Sequence, residues 1–281
     1  MISTTQVKRF YDPTFKVTDA YKASMPDLQN GPASLIEGAN VPIQQVGISN
    51  FNLPLRFRAY EGDPVQLQAS IDGYVGLDAG KKGINMSRIM RTFYKFKDRV
   101  FHLDMLEEIL KGYQQDLDAT ESFLRIGFSY PLLMDSLRSG MQGYQYYDVI
   151  FEGHLDAHGV FTKFMHLDFV YSSACPCSYE LAEHARETRE IAAIPHSQRS
   201  IASVTVELKD EFFVEDLVAI CRDALQTETQ VMVKREDEQA FAELNGAYQK
   251  FVEDAARLLY QELDSYTSIQ DFVVRCNHME S

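Results

Sequence analysis

The chain carries 281 residues, with 41 acidic against 27 basic side chains and a formal net charge of −14. That balance argues against a duplex nucleic-acid binder, which gathers basic residues, while the length provides for one large domain or two ordinary ones. No apolar run approaches the roughly 20 residues of a membrane span, and the opening "MISTTQVKRFYDPTFK" lacks the apolar stretch of a secretory signal, so a cytoplasmic protein is expected.

Residues 1–40 are polar, with scattered Pro and Gly and no period, and are expected to form a partly ordered arm. "VPIQQVGISNFNLPLRFR" is rich in β-branched residues and predicts a strand. In "PVQLQASIDGYV", Val65, Leu67, Ala69 and Ile71 alternate with Gln66, Gln68, Ser70 and Asp72, the pattern of a half-buried strand. Two helices follow. Met86, Ile89, Met90 and Phe93 make one apolar stripe, and Leu106, Ile109, Leu110, Tyr113 and Leu117 make the other. "FLRIGFSYPLL" predicts a strand.

The order then recurs. "GYQYYDVIFEGHLDAHGVFTKFMHLDFVYSS" predicts a long hairpin turning at Asp156-Ala157-His158-Gly159, with Met165, Leu167, Phe169 and Tyr171 on one face. A charged, helix-prone insert spans "YELAEHARETREIAAI". "SIASVTVEL" alternates again, "EFFVEDLVAICRDALQ" and "KFVEDAARLLYQELDSY" predict helices, and "DFVVRC" a last strand. Strand–strand–helix–helix–strand thus occurs roughly twice, which predicts an α+β class with antiparallel sheets and helices on one face.

The four cysteines, Cys175, Cys177, Cys221 and Cys276, do not form a disulfide framework and suit a reducing compartment. Cys175 and Cys177, separated by Pro176, are too close for an unstrained mutual disulfide and lack the C-x-x-C spacing of a redox pair. Thiolates bind Zn²⁺-like ions, but an ion needs three or four ligands. Burial as small apolar residues is the plainer reading, and it is stronger for Cys221, which lies on the stripe Val214, Leu217, Val218, Leu225. His196 in "IPHSQRS" is flanked by the donors Gln198, Arg199 and Ser200. Glu238 in "VKREDEQ" reads as part of a solvated charge run. Glu253 in "FVEDAARLL" suits the positive end of a helix dipole. "AGKKGINMSR" sets Lys81 and Lys82 between glycines ahead of a helix, where backbone N–H groups can receive phosphate, although the spacing is not a Walker A motif.

Taken together, "CPCS", "HSQRS", "KREDE", "FVED" and the terminal "ES" occur in an order that resembles the type IB GTP cyclohydrolases. "VPIQQVGI" and "KKGINMSR" resemble the first half of that family, so the likeness runs from about residue 41 to the last residue. The resemblance implies an α+β tunnelling fold (T-fold): residues 1–40 as the arm, 41–138 as a first ββααββ module and 139–281 as a second, assembled into a homotetramer with sites at subunit interfaces. It implies conversion of GTP and water to 7,8-dihydroneopterin triphosphate and formate, the first step of tetrahydrofolate-type biosynthesis, by a hydrolase acting on cyclic amidine C–N bonds.

One divalent metal per site, Zn, Mn or Fe, is implied, with Cys175, His196 and Glu238 as its ligands. Cys177 would be a general acid, Glu280 a carboxylate activating water, and His196 would share in catalysis. Glu253 would anchor guanine, with Lys81, Lys82, Arg88 and Arg199 for the triphosphate. The chemistry suits those types: a metal lowers the pKa of bound water, and an acid protonates a ring nitrogen as the C–N bond breaks. Guanine offers N1–H and an amine, both donors, to a carboxylate. Neither nucleic acid nor membrane is an expected partner.

Three departures from the family pattern stand out. Asn85 replaces the usual histidine of His-Met-Ser-Arg, the insert 179–194 is longer, and the family pattern continues E-S-I-H-x-H, its first histidine contributing to the metal site. Two other readings fit the same residues: a purine- or pterin-binding protein without turnover, and a related T-fold enzyme acting on a deazaguanine through a nucleophilic cysteine.

Overall fold

The structure is a computed structural model and describes residues 9–279. Its framework is one continuous eight-stranded sheet in the order β3-β1-β2-β4-β5-β6-β7-β8. The strands are β1 (Ile43–Phe57), β2 (Val65–Leu77), β3 (Val100–Phe101), β4 (Ser122–Asp135), β5 (Gln142–Leu155), β6 (Phe161–Ala174), β7 (Ser197–Leu208) and β8 (Ile269–His278). The helices are α1 (Asp19–Ala23), α2 (Met86–Tyr94), α3 (Met105–Leu117), α4 (Pro176–Arg189), α5 (Val214–Leu225), α6 (Arg235–Ala247) and α7 (Val252–Asp264).

In the central strands every second residue is buried, and α2, α3, α5 and α7 cover that face in a single apolar core. Gly73 and Gly153 let the helices approach. A Cβ on Gly73 would stand 2.7 Å from Ile89 Cγ2 and 2.9 Å from Tyr113 Oη. The predicted hairpin turn is present: Asp156 Oδ1 accepts from the N–H of His158 and of Val160, both at 2.8 Å, and Gly159 takes φ +80°.

The expected pair of antiparallel ββααββ modules is corrected by this topology. There is one sheet, and the β4–β5 ladder carries it from Ser122↔Leu155 to Asp135↔Gln142 across the chain's midpoint. The sheet is mixed, because β3 pairs parallel to β1 through Arg56↔Val100 and Phe57↔Phe101. The cause is local. α2 leads the chain back along the sheet, so it re-emerges beside the end of β1 running the same way, and Phe101 packs on Phe57 with ring centroids 5.6 Å apart. The second half also departs, with α4 between β6 and β7 and three helices between β7 and β8.

One helix stripe differs from expectation, and one charge run proves to be helical. On α2, Ile89 and Phe93 are buried, but Met86 and Met90 lie partly exposed and Thr92 takes the inner position instead. The charge run "KREDE" is the first turn of α6. Asp237 is fully buried there and accepts from the N–H of Lys234 (2.8 Å), Arg138 (2.8 Å) and Ser139 (2.9 Å). Burial would raise its carboxyl pKa, but those hydrogen bonds outweigh it and hold the group well below the usual range.

The registers define two ends of the sheet. Leu77, Ser122, Leu155, Phe161, Leu208 and Ile269 lie at one end; Phe57, Asp135, Ala174, Ser197 and His278 lie at the other. A strand of this length spans about 40 Å, which fixes the separation of everything placed at opposite ends.

Candidate active site

β6 ends at Ala174, paired with Ser197, and the chain turns directly into α4. Cys175 is the N-cap in an extended conformation, and Pro176 takes the first helical position, where a missing N–H costs nothing and the fixed φ suits the helix. Cys175 is therefore half-buried at a strand end, while Cys177 is exposed on the first turn of α4. The two thiols belong to different surfaces, and α4 beyond them buries only Ala182.

His196 stands across from Cys175. The Cys175 N–H donates to the His196 carbonyl at 3.2 Å, and the His196 N–H donates to Ser178 Oγ at 3.2 Å. His196 Nδ1 lies 3.1 Å from Gln198 Oε1. The start of α7 closes the third side: the Lys250 N–H donates to the Ala174 carbonyl at 3.2 Å. Three residues on, Glu253 then faces a cleft of about 390 Å³ lined by Cys175, Gln198, Cys276, Asn277 and His278.

The floor of this region is held by groups that the sequence reading did not single out. His278 Nε2 meets Tyr171 Oη at 2.9 Å, and burial pushes the Tyr171 hydroxyl and the Cys276 thiol up from their ordinary values. Lys250 is only 5% exposed. Its ammonium donates to Thr227 Oγ1 at 3.2 Å and to the Tyr248 carbonyl, and burial lowers its pKa to about 8. The alternation in "FVVRCNH" carries Phe272, Val274, Cys276 and His278 to the inner face, a signal present in the sequence.

The remaining expected residues lie elsewhere in one chain. Glu238 is exposed on α6. Arg199 is one residue past Gln198 on β7, so the strand pleat turns it to the opposite face. Lys81, Lys82 and Arg88 stand at the other end of the sheet. Lys81 pairs with Asp118 Oδ2 at 2.8 Å, Lys82 donates to the Leu35 carbonyl, and Arg88 donates to the Asp116 carbonyl at 2.7 Å. Asn85 is the N-cap of α2 and accepts from Ser87 Oγ at 2.8 Å. Glu280 lies outside the described residues.

Thiolate and imidazole are donor types that a zinc-like ion takes. Among the described residues, no group of three or more His, Cys, Asp or Glu in this chain is close enough to complete such a site. Within one chain, the described donors therefore do not by themselves make up a metal-binding set.

A family model described as "Type I GTP cyclohydrolase folE2" matches residues 25–281. The chain is 54% identical over 278 residues to "GTP cyclohydrolase FolE2" of Roseobacter denitrificans, covering 98% of this chain and 76% of that one. It is 55% identical over 277 residues to the protein of the same name from Dinoroseobacter shibae, covering 97% and 75%. The match to the protein of that name from Paracoccus denitrificans is 54% over 276 residues, covering 98% and 86%. Among solved structures, uricase from Arthrobacter globiformis superposes with a TM-score of 0.47 at 8% identity, covering 82% of this chain and 79% of that one. The chain belongs to the type I GTP cyclohydrolase family of the FolE2 type.

Proposed function

We propose that the protein converts GTP and water to 7,8-dihydroneopterin triphosphate and formate in the folate pathway, and that the reaction takes place in the cleft between Cys175, His196 and Glu253. The observation that carries this reading is the convergence of β6, β7, β8 and α7 on one opening lined by Cys175 and Glu253, with His196 joined to Cys175 through the main chain and to the lining residue Gln198 through its ring. Glu253 accepts from guanine N1–H and the exocyclic amine. Cys177, exposed beside the opening, delivers a proton to the ring nitrogen as the C–N bond breaks. Glu280 activates the attacking water.

A divalent metal, when bound, lowers the pKa of water to supply hydroxide near neutral pH. Cys175 and His196 would hold it, with Glu238 as a further ligand. Cysteine and histidine together suit Zn²⁺, while more oxygen donors admit Mn²⁺ or Fe²⁺.

The assembly in this reading is a homotetramer with shared sites. Lys81, Lys82 and Arg88 lie a strand length, about 40 Å, from the end that carries Cys175, farther than one nucleotide reaches. Triphosphate contacts by these residues therefore come from a second copy. Arg199, at the Cys175 end, serves from the sheet's open face. Exposed Leu181 and Ile194, the latter 90% exposed, provide apolar surface beside the site for such a contact.

The test is product analysis. Metal-replete protein given GTP is expected to release formate and to yield a fluorescent pterin after oxidation. GTP binding with no formate under Zn²⁺, Mn²⁺ or Fe²⁺ would select a binding protein instead. Among the described residues no helix is long and apolar enough to cross a membrane.

A further inference from the structure

Gln198 touches the His196 ring through its side chain and also lines the cleft. Its side-chain oxygen lies 3.1 Å from His196 Nδ1, and the same side chain lines the cleft that Glu253 faces. The main chain of His196 is already fixed on both sides, by the Cys175 N–H to its carbonyl and by Ser178 Oγ to its N–H. What remains free is ring orientation and tautomer, and Gln198 is the contact that sets them.

An amide has two ends, and each end has a different job here. With Oε1 accepting, the proton of a neutral His196 sits on Nδ1, and Nε2 is left with its lone pair. The NH₂ end of Gln198 is then a pair of donors beside a cleft that Glu253, an acceptor-only carboxylate, lines together with Asn277 and His278. A ring with donors on one edge and an acceptor beside them matches that wall. Guanine has this layout: N1–H and the amine for Glu253, and the O6 carbonyl next to N1. Adenine presents an amine at that place, donor against donor.

We propose that Gln198 is a specificity-determining residue that donates its amide N–H to the 6-oxo group of the purine while its carbonyl oxygen holds His196 with Nε2 unprotonated. This rests on Glu253 being the purine anchor. Through His196 the residue acts as a positioning group, since a histidine whose other ring nitrogen loses its acceptor holds a metal less tightly, commonly by 10–100-fold.

The test uses the full chain as purified, with Gln198→Glu, Gln198→Met and Glu253→Ala, and reads KM and kcat for GTP together with the rate of metal loss to a chelator. Gln198→Glu keeps an acceptor for His196 and replaces the donor by a carboxylate. It is expected to raise KM for GTP about tenfold or more, with metal loss within about twofold of wild type. Gln198→Met removes both ends and is expected to raise KM similarly and to speed metal loss about tenfold. Glu253→Ala is expected to raise KM with metal loss unchanged. If Glu253→Ala raises KM but Gln198→Met leaves both KM and metal loss within about twofold, the inference about Gln198 is wrong and the purine site stands. If Glu253→Ala leaves KM unchanged, the cleft is not the purine site and both readings fall.

Discussion

The main-chain N–H of Cys175 donates to the carbonyl of His196 at 3.2 Å, which sets these two residues opposite each other at one end of the sheet. The bond continues the β6–β7 ladder one step past Ala174↔Ser197, just where β6 gives way to α4. It also separates the surroundings of the two neighbouring thiols. Cys175 stays with the strand end and the cleft, while Cys177 starts a helix and faces solvent.

That separation predicts different losses. Cys175→Ala is expected to lower bound metal sharply, measured by elemental analysis of the purified protein. Cys177→Ala is expected to retain metal and lose about 10²–10⁴ in kcat, the usual worth of a positioned acid. Equal metal loss in both variants would contradict the assignment.

The distance between the two ends of the sheet predicts complementation. A chain with Lys81→Ala and Lys82→Ala and a chain with Cys175→Ala are each expected to be inactive alone. Co-assembled, they are expected to recover a fraction of wild-type formate release, because some interfaces then combine intact halves. No recovery from a verified mixed oligomer would place the triphosphate elsewhere.

Gly73 predicts a packing cost. Its Cβ would meet Ile89 and Tyr113, both fully buried, so Gly73→Ala must displace α2 or α3. Overpacking of this kind costs about 1–3 kcal/mol, read as a lower urea midpoint at unchanged slope. A midpoint equal to wild type would show that the helices give way freely.

Lys250 predicts a pH dependence of stability. Its pKa is about 8 in the fold against 10.5 ordinarily. Below pH 8 both states carry the proton, so the cost of burying the charge is fully present. Between pH 8 and 10.5 the unfolded chain binds the proton and the fold does not, so this group makes stability rise with pH. Relative to Lys250→Met, wild type is expected to gain up to about 3 kcal/mol across that window, measured by denaturant titration at several pH values. A difference that does not vary with pH would contradict a buried, depressed ammonium.

Much of the scaffold was legible in the sequence because it is periodic. The alternation through Val65, Leu67, Ala69 and Ile71, the stripe from Leu106 to Leu117, and the Asp156–Gly159 turn each needed only local spacing. β3 was not legible, since two residues have no period and its pairing depends on where α2 delivers the chain. Nor was α6, because Asp237 resembles its charged neighbours and only tertiary structure shows that it caps the helix and holds the Arg138–Ser139 turn. The same limit applied to the site. Cys175, His196 and Glu253 were recognisable by motif, but the contact of Gln198 with His196 and the places of Cys276 and His278 follow from the strands, and that of Lys250 from the α6–α7 link meeting the end of β6. That Lys81 and Cys175 lie at opposite ends is likewise a fact of register.

The most direct test of the account is formate release from GTP followed as the divalent metal content of the protein is raised from chelated to replete. A metal-dependent site containing Cys175 and His196 predicts activity that climbs in proportion to bound metal and levels off at one ion per site, with no such climb in Cys175→Ala. Formate release that ignores metal content, or that climbs equally in Cys175→Ala, would contradict it.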